Sequence, residues 1–473
     1  MSAALVWFRR DLRLHDNPAL LAACAHSAVI PIYLHCPAED GDWKAGGASR
    51  WWLHHSLTAL ATALRSRGSR LIIRRGENSR DLLQQLIEET GATAVHWNRL
   101  YESATRDRDA AVKSALRDRG LDAHGHNAAL LREPWMVKTQ TGTPYRAFTP
   151  FWRAASKGSF AAPRPAPQTL QAPANWPQGL DPDELGLLPR IRWDQGLEDS
   201  WTPGEDGAWQ RLQAFLRSRL ADYDARRDLP AVDGTSRLSP HLHFGEIGPR
   251  QIVSALQELP RGKDRDSFLS EIGWREFAHH LLYQNPEMPD VPLDHRFERF
   301  PWSDGQDASL QAWQRGETGI PIVDAGMRQL WQIGWMHNRV RMIVGSLLTK
   351  NLRVPWQRGE AWFWDTLVDA DLASNSMGWQ WIQGSGADAA PYFRIFNPIR
   401  QGERFDPDGD YVRRWVPELA RLPAKFIHAP WQAPAPELNQ AGLRLGHDYP
   451  QPIVDLANSR KQALDAYAAI KSA

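Results

Sequence analysis

The chain has 473 residues, 42% of them hydrophobic, and a formal net charge of +1, which together predict an ordinary globular protein with two domains. Its two cysteines, Cys24 and Cys36, exclude a disulfide scaffold, a cysteine-ligated zinc site and a four-cysteine iron–sulfur cluster. The near-neutral charge excludes a strong overall attraction to nucleic acid, so any DNA binding would need a local basic patch.

Strand and helix signals alternate through the first part of the chain. Short apolar runs predict strands at residues 5–10, 28–34, 71–76, 94–98 and 121–126, with helical patterns between them. This alternation is typical of a parallel, doubly wound sheet of Rossmann-like or flavodoxin-like type, and we assign the α/β domain to residues 1–130. FRRDLRLHDN, at residues 8–17, stands where a Rossmann G-x-G-x-x-G would follow the first strand. A dinucleotide phosphate site of the usual Rossmann kind is therefore not expected.

A long connection follows this domain. Residues 161–189 are rich in Pro, Ala and Gln and predict a passive segment lying over both domains, within a linker that spans 131–204. Helical patterns then dominate, at residues 208–220, 249–259, 267–283, 320–333, 335–350 and 360–367. Strand signals almost vanish, so residues 205–473 are predicted to form a mostly α-helical domain. After residue 397 the pattern is irregular until a last helix beyond residue 455.

The most informative stretch is residues 335–398, where several of the 23 Trp stand beside polar residues that a plain core would not contain. By their spacing, Asn338, Arg341 and Met342 share one face of a helix. Two carboxylates and an amide follow between apolar residues, at Asp369, Asp371 and Asn375. Large flat surfaces are supplied by Trp356, Trp379 and Trp381. Because buried Asp and Asn need partners, this mixture predicts a pocket for a flat heteroaromatic group with polar edges.

Two shorter motifs lie upstream of that stretch. GTSRLS, at residues 234–239, offers backbone N–H groups, hydroxyls and one cation, which suits a phosphate cradle, although Thr-Ser runs also cap helices. In EIGWREF, at residues 271–277, the spacing places Glu271, Trp274 and Arg275 on one helical face. That face is either a Glu–Arg pair beside a core Trp or a carboxyl in an apolar pocket that bonds a ligand.

These motifs, with WMHNRVRM, WDTLVDADLASNSMGWQW and DAAPYFRIFNP from residues 335–398, resemble the flavin- and DNA-binding core of the photolyase/cryptochrome family. FRRDLRLHDN is similar to the family's N-terminal signature, and the resemblance covers nearly the whole chain. It is strongest to bacterial cyclobutane pyrimidine dimer photolyases of class I or III type. The resemblance implies an antenna-pigment domain followed by a helical domain that binds FAD and DNA.

The resemblance also implies roles for individual residues. Contacts to FAD are expected from Tyr223, Thr235, Ser236, Arg237, Leu238, Ser239, Arg275, Asn338, Arg341, Asp369, Asp371 and Asn375. Contacts to damaged DNA are expected from Arg227, Glu271, Trp274, Asn338, Arg339, Met342, Trp381 and Arg394, with Arg226 and Arg400 as further cations. An electron-hopping chain from the surface to the flavin is expected at Trp302, Trp356 and Trp379. The catalytic set joins these three Trp with Glu271, Asn338, Met342 and Asn375.

The position of Asn375 separates subfamilies. The resemblance places its amide at flavin N5, where plant cryptochromes place Asp, and makes Arg341 the ionic partner of Asp369. An amide does not readily pass a proton to N5, which favours fully reduced anionic FAD as the active form. Repair of (6-4) photoproducts is disfavoured, because that branch carries a His pair where this chain has His337-Asn338. A cryptochrome photoreceptor is a further candidate, whereas a nicotinamide-dependent flavoprotein would need a second dinucleotide fingerprint that the sequence lacks.

The implied activity is light-dependent DNA repair, in which photoexcited reduced FAD passes an electron to a flipped-out cyclobutane pyrimidine dimer and splits it. GGASRWWLHHSL, at residues 46–57, resembles the folate-binding branch. Methenyltetrahydrofolate is therefore the expected antenna, with deazaflavin as second choice, an empty site as third, and Glu102 as a contact. UV-damaged DNA is the expected partner, no metal is needed, and a monomer is expected. A cytoplasmic location is expected, because the sequence shows neither an apolar run of membrane length nor signal-peptide order.

Overall fold

A computed structural model describes residues 2–303, 307–388 and 393–471. Its strands are β1 (Ala3–Phe8), β2 (Ala28–His35), β3 (Ile72–Arg75), β4 (Ala92–Asn98) and β5 (Asp122–His126). They form one parallel sheet in the order β3-β2-β1-β4-β5. Val6 pairs with Pro31 on one side and with His96 on the other, so β1 lies at the centre. Every residue of β1 is buried, as its unbroken apolar sequence predicts for a strand covered on both faces.

Four helices connect these strands: α1 (Pro18–Ala23), α2 (Gly47–Arg65), α3 (Ser79–Thr90) and α4 (Ser103–Asp118). The Asn17 side chain caps α1 by accepting from Leu20 N, and Pro18 occupies the first turn, where a backbone donor is not needed. Asn78 caps α3 in the same way, and Gly91 ends it with a φ of 64°. The predicted doubly wound α/β arrangement is confirmed, with strand ends shifted by one or two residues.

The Pro-rich segment at residues 161–189 is tied to the sheet domain. The carbonyl of Gln171 accepts from Val29 N at 2.8 Å. Leu180 N donates to Ile73 O at 2.9 Å and forms an antiparallel bridge to β3, which lies at one edge of the sheet. The segment predicted to be passive therefore forms backbone hydrogen bonds with two strands.

The remaining helices are α5 (Phe148–Ala155), α6 (Gln195–Ser200), α7 (Glu205–Ser218), α8 (Tyr223–Arg226), α9 (Ser239–His243), α10 (Pro249–Gln257), α11 (Lys263–Gln284), α12 (Asp307–Arg315), α13 (Pro321–Ile333), α14 (Asn338–Ser346), α15 (Trp356–Thr366), α16 (Leu372–Gln383), α17 (Pro398–Phe405), α18 (Asp410–Trp415), α19 (Ala424–Ile427), α20 (Ala435–Ala441) and α21 (Leu456–Lys471). A mostly helical second part is thus confirmed, while the limits at residues 130 and 204 stay a prediction. The carboxylate of Glu246, fully buried, accepts from Trp52 Nε1 at 2.9 Å and from Gly204 N at 2.7 Å. These bonds join the helical part to α2.

Two predictions for the helical part were wrong. The helix expected at residues 335–350 begins at Asn338, because the His337 imidazole accepts from Arg339 N and caps it there. The two residues before His337 therefore stay outside the helix. The stretch after residue 397 is not irregular but contains α17 to α20, each of 4 to 8 residues. One or two turns are too short for a helical period to show in the sequence.

A π-helical turn, Leu347–Asn351, follows α14 and buries Lys350. The Lys350 Nζ donates to the carbonyl of Gln383, the last residue of α16, and lies 3.3 Å from the ring centroid of Phe393. Burial lowers the pKa of Lys350 well below its usual value. This contact fixes the C-terminal end of α16 against the chain that returns from it.

Candidate active site

A cavity of about 520 Å³ lies between α11, α14 and α16. The predicted residues that line it are Tyr223, Arg227, Thr235, Ser236, Arg237, Leu238, Ser239, Glu271, Trp274, Arg275, Asn338, Arg341, Met342, Asp369, Asp371, Asn375, Trp379 and Trp381. The predicted residues outside this lining are Glu102, Arg226, Trp302, Arg339, Trp356, Arg394 and Arg400. Segments far apart in the sequence therefore meet at one cavity.

The loop at residues 234–239 forms a polar wall of this cavity. Arg237 has a φ of 50°, and its guanidinium lies 4.8 Å from the ring centroid of Trp335. Burial lowers the pKa of Arg237, and its Nε has no hydrogen-bond partner within the described ranges. The hydroxyls of Thr235 and Ser236 belong to the same wall. A desolvated guanidinium beside two hydroxyls is a donor set that suits a diphosphate.

Asp371 is a buried carboxylate at the start of α16. Its Oδ1 accepts from Ser374 N at 2.9 Å and caps the helix, while its Oδ2 lies 3.5 Å from His243 and 3.6 Å from His279. Burial raises the pKa of Asp371, but His279, His243 and Arg275 outweigh it and hold the pKa well below its usual range. The cavity therefore faces a fixed negative charge at this point.

A second carboxylate, Asp369, forms an ion pair with Arg341 at 2.9 Å. The Arg341 Nε also donates to the carbonyl of Met336 at 2.8 Å, which fixes the plane of the guanidinium. The ion pair predicted from the sequence is therefore present in the structure. It presents a paired cation and anion beside the cavity, where a polar ring edge can find both a donor and an acceptor.

Asn375 is held by a neighbour that the sequence analysis missed. Its Nδ2 donates to the carbonyl of Glu360 at 3.1 Å, and its Oδ1 has no hydrogen-bond partner among the residues that the structure describes. The Glu360 side chain is fully buried and accepts from the Ser376 hydroxyl. Burial raises the pKa of Glu360 well above its usual range. The sequence signal that could have revealed Glu360 is an acidic residue inside the Trp-rich run WQRGEAWFW.

Gly378 leaves room for a flat group in the cavity. It lies in the interior of α16, where Gly costs about 1 kcal/mol relative to Ala. A Cβ added there would meet no atom within 4 Å, although Gly378 lines the cavity. At Gly359, by contrast, a Cβ would overlap the ring of Trp379 at 2.1 Å. The space beside Gly378 is therefore open volume and not core packing.

Replacing Gly378 with Leu is expected to yield protein that folds but carries no flavin, because the side chain fills the open volume. Replacing it with Ala is the matched control, which should keep the flavin and stabilise α16 by about 1 kcal/mol. The measurements are flavin absorbance of the purified proteins and their thermal unfolding. Normal flavin content in the Leu variant would show that the flavin ring does not occupy the volume beside Gly378.

The two interpretations of the 271–277 motif are now distinguished. Glu271 pairs with Arg227 at 2.6 Å, whereas Arg275 donates to the carbonyl of Ala129 at 2.7 Å. One interpretation of the motif predicted that Glu271 pairs with Arg275. The cation that pairs with Glu271 is instead Arg227, which lies just after α8. Trp274 stacks on Phe148 with ring centroids 3.8 Å apart and an interplanar angle of 9°. A rigid indole and a half-buried carboxylate form a second wall of the cavity.

The three Trp expected to carry electrons belong to one hydrophobic cluster. Trp379 is buried and lines the cavity, Trp356 is buried at the start of α15, and Trp302 is only partly buried. Trp379 packs on Phe363, with ring centroids 5.0 Å apart, and on Trp313, at 6.2 Å. The three Trp therefore differ in burial, with Trp379 at the cavity lining and Trp302 partly exposed, and the electron relay stays a prediction.

The arginines expected to contact DNA differ in their surroundings. Arg339 pairs with Asp228 at 2.6 Å, and Arg394 lies 5.8 Å from the ring centroid of Trp381. Arg226 and Arg400 are exposed. Asp228 follows Arg227 in the chain, so the structure brings Arg227 and Arg339 to the same side of the cavity.

Glu102, the expected antenna contact, is buried and forms an ion pair with Arg10. Burial raises the pKa of Glu102, but Arg10 outweighs burial and brings the pKa to about 2. The Thr105 hydroxyl donates to the same carboxylate at 3.2 Å. Glu102 is therefore an ionised residue whose Oε2 already has two protein partners.

A family model for DNA photolyase matches residues 4–170, and a model for the FAD binding domain of DNA photolyase matches residues 268–469. The chain belongs to the DNA photolyase family. Photolyase membership agrees with the diphosphate-type wall and with the open volume beside Gly378, both of which suit FAD. Residues 389–392 of the DAAPYFRIFNP motif lie outside the described residues.

Relatives of this photolyase-family chain include photolyases and cryptochromes. A deoxyribodipyrimidine photo-lyase of Agrobacterium fabrum is 51% identical over 99% of this chain and 98% of the relative. Cryptochrome-2 of Arabidopsis thaliana is 40% identical over 99% of this chain and 79% of that protein. The crystal structure of a bacterial class III photolyase from Agrobacterium tumefaciens has a TM-score of 0.96 at 49% identity, covering 100% of this chain and 98% of that one.

Two negative findings apply to the described part of the photolyase-family chain. No helix there is long and apolar enough to cross a membrane. No group of three or more His, Cys, Asp or Glu side chains there is arranged to hold a metal ion.

Proposed function

We propose that this protein is a light-dependent DNA repair enzyme that splits cyclobutane pyrimidine dimers by electron transfer from photoexcited reduced FAD. The observation that carries the proposal is the meeting of two walls in one cavity. One wall has the cation and hydroxyls that a diphosphate needs, and the other has the indole and carboxylate that suit a pyrimidine. The identity of 51% to a deoxyribodipyrimidine photo-lyase supports the same activity.

FAD, when bound, supplies the electron for ring splitting. The protein's own residues position the two reactants. Thr235, Ser236 and Arg237 would hold the diphosphate of FAD, and the Arg341–Asp369 pair would bond a polar edge of its ring. Asn375 offers its Oδ1, which is the kind of acceptor that a reduced flavin N5–H requires. Since the Asn375 amide has no acidic proton to give, the arrangement favours the reduced anionic form.

The lesion would rest between Trp274 and Trp381, held by Glu271 and Asn338 with Met342 packed against it. Stacking holds a flipped base through its flat face, and polar side chains read its edge. Arg227, Arg339 and Arg394 would bind the backbone phosphates around the cavity. Because α16 carries both Asn375 and Trp381, the flavin and the lesion would lie on a single rigid element.

The decisive experiment follows dimer loss in an oligonucleotide that carries one cyclobutane dimer. The purified protein with reduced flavin is expected to remove the dimer under blue light and to leave it intact in the dark. A light-stable dimer, together with normal flavin content, would favour a cryptochrome photoreceptor, which the 40% identity to a plant cryptochrome supports. Loss of a (6-4) photoproduct, with the cyclobutane dimer left intact, would show that the protein is a (6-4) photoproduct repair enzyme.

The structure gives a physical reason to disfavour (6-4) repair. His337 is buried, does not line the cavity, and uses its Nδ1 to accept from Arg339 N. Burial lowers the pKa of His337 to about 4, so the imidazole is neutral at pH 7. It acts as a helix cap, lies outside the cavity lining and is not the charged acid that could protonate a lesion.

Replacing Glu271 with Ala is expected to keep FAD bound and to weaken dimer binding and repair. The loss should be about 1.5–3 kcal/mol, the value of a hydrogen bond to a charged group in a partly desolvated site. The checks are flavin content by absorbance and the affinity for a dimer-containing oligonucleotide. Protein without flavin would instead place Glu271 among the structural or flavin-binding residues.

For the antenna we propose methenyltetrahydrofolate. In open α/β sheets a ligand sits outside the carboxyl ends of the strands, which is where a second flavin-like pigment would be expected. That position holds Arg9, which is buried, donates to Asp109 at 2.6 Å and to the carbonyl of Asn98, and lies 4.6 Å from the ring centroid of Trp7. The occupied crevice disfavours deazaflavin.

An aromatic surface lies near the start of α4 instead. Trp135 is 40% exposed, its ring centroid is 5.5 Å from that of Tyr283, and Arg106 lies 4.1 Å from the Tyr283 ring centroid. Arg106 is on the first turn of α4, immediately after Glu102 caps it. The two aromatic rings suit stacking with a flat pterin, and the cation suits the carboxylates of the folate's glutamate tail. The absorption spectrum of pigment released by denaturation tests this choice.

We also propose that the protein acts on UV-damaged DNA as a monomer in the cytoplasm and needs no metal. The near-neutral charge and the local arginines at the cavity are consistent with a DNA contact limited to one face. Size-exclusion chromatography with and without a dimer-containing duplex tests the oligomeric state.

A further inference from the structure

Two of the arginines expected to contact DNA, Arg227 and Arg339, are each paired with a carboxylate. Arg227 pairs with Glu271 at 2.6 Å and Arg339 pairs with Asp228 at 2.6 Å. All four side chains are partly buried, with 20% to 34% of their surface exposed. The guanidiniums of Arg227 and Arg339, which are proposed to bind DNA phosphates, therefore each have a carboxylate of the protein as partner in the absence of DNA.

The two pairs differ in one respect. Glu271 lines the cavity, as Arg227 does, whereas Asp228 is outside the cavity lining. Occupation of the cavity can therefore change the partner of Glu271 directly, but it cannot reach Asp228 in this way. The Arg339–Asp228 ion pair is accordingly expected to be the same with undamaged and damaged DNA, although Arg339 Nη1 also donates to Sδ of the cavity-lining Met342 at 3.8 Å.

The Glu271 carboxylate and a DNA phosphate compete for the same guanidinium. Arg stays charged at any accessible pH, so Arg227 must leave one anion to neutralise the other. Departure of Arg227 would leave Glu271 partly buried without a counter-ion, which is unfavourable. A pyrimidine in the cavity removes that penalty, because its ring N–H can donate to the carboxylate.

We propose that Arg227 and Glu271 form an exchange switch that couples lesion entry to phosphate binding. On undamaged DNA the ion pair stays closed and Arg227 contributes little to binding. When a dimer enters the cavity and donates to Glu271, Arg227 is released to a backbone phosphate. The switch rests on the proposed function, since it takes the occupant of the cavity to be a flipped pyrimidine dimer.

Salt dependence of binding tests the switch, because each phosphate neutralised adds to the slope of log affinity against log salt. Binding is measured in the dark by fluorescence anisotropy, for one duplex with a single dimer and for the same duplex undamaged, over a salt series. For the original protein we expect a steeper slope with the dimer, by about 0.9, which corresponds to one additional phosphate contact.

Glu271→Gln removes the charge that holds Arg227 and keeps a side chain that can bond the lesion. We expect it to raise affinity for undamaged DNA by about two- to fivefold, the range that a partly exposed ion pair spans. Its slope on undamaged DNA should rise to that on the dimer duplex. Arg227→Ala should remove the extra slope on the dimer duplex and leave the undamaged slope unchanged. Arg227→Lys, which keeps the charge, should retain part of the difference.

Arg339→Ala is the matched control, because its ion pair lies outside the cavity lining and should respond to both duplexes alike. The switch is overturned if Glu271→Gln leaves the affinity and slope for undamaged DNA unchanged. It is equally overturned if Arg227→Ala weakens binding of both duplexes by the same factor. Flavin absorbance confirms that each variant is folded.

Failure of the switch and failure of the proposed function give different results. If the original protein splits dimers in light but shows equal slopes on the two duplexes, only the switch is wrong. If it neither prefers nor splits dimers, the proposed function is wrong, and the switch falls with it.

Discussion

Replacing Trp379 with Phe is expected to lower the rate of light-driven reduction of oxidised FAD by external reductants by more than an order of magnitude. Trp379 is the only one of the three predicted relay residues that lines the cavity. Phe keeps an aromatic ring against Phe363 but is much harder to oxidise than Trp. Repair by enzyme reduced beforehand should be nearly unchanged, because the relay acts before the repair cycle and not within it.

The matched control for this prediction is Trp313→Phe. Trp313 is buried and its ring centroid is 6.2 Å from that of Trp379, yet it stands outside the predicted series from Trp302 to Trp379. Photoreduction should survive this change. The measurement is flavin absorbance during illumination with a reductant, beside a repair assay on chemically reduced protein. Equal photoreduction in the original protein and the Trp379 variant would remove Trp379 from the relay.

Replacing Asn375 with Asp is expected to change the redox end state of the flavin. The introduced carboxyl would be buried where the Asn375 amide now lies, and desolvation raises its pKa. In its protonated form it carries one acidic proton, which can pass to N5 when that O–H faces the flavin and not the Glu360 carbonyl that Asn375 Nδ2 now bonds at 3.1 Å. The amide has no such proton. The variant should accumulate the neutral flavin radical under illumination and resist full reduction, and dimer repair should fall in proportion to the reduced flavin lost.

Glu360→Gln distinguishes the effect of the buried Glu360 carboxyl from the effect of the acid introduced at position 375. It removes the buried carboxyl behind Asn375 but keeps the backbone carbonyl that Asn375 bonds, so the reduced end state should persist. Visible spectra during illumination, taken for the original protein and both variants, give the result. Identical radicals and end states in the original protein and the Asn375 variant would show that Asn375 does not face N5. The roles given to residues 369–381 would then need to be reassigned.

The sheet was predictable from sequence because its inner strands β1, β2 and β4 are short, mainly apolar runs separated by helical patterns. The same reasoning failed at the start of α14, where an apolar pattern continued through two residues that precede the helix. There the helix begins at Asn338 because an imidazole, uncommon as a cap, accepts from Arg339 N. A local side-chain cap, and not the apolar period, sets that boundary.

The candidate site was predictable as a set of residues but not as a network. Helical spacing correctly placed Glu271, Trp274 and Arg275 at one cavity. It could not reveal that Glu271 bonds Arg227, because the two are 44 residues apart and meet only through the packing of α8 on α11. The buried Glu360 was missed for the same reason, since sequence spacing does not reveal the burial that raises its pKa.

The backbone hydrogen bond between Leu180 N and Ile73 O is expected to slow aggregation of the protein at high concentration. An unpaired edge strand is a template on which a second chain can add itself and start aggregation. Because residues 161–189 return to β3, its outer edge is occupied by the molecule's own backbone at Ile73. A proteolytic cut between residues 172 and 179 would weaken that cover without touching the cavity in the helical part. The nicked enzyme should remain catalytically competent at first and then be lost by self-association.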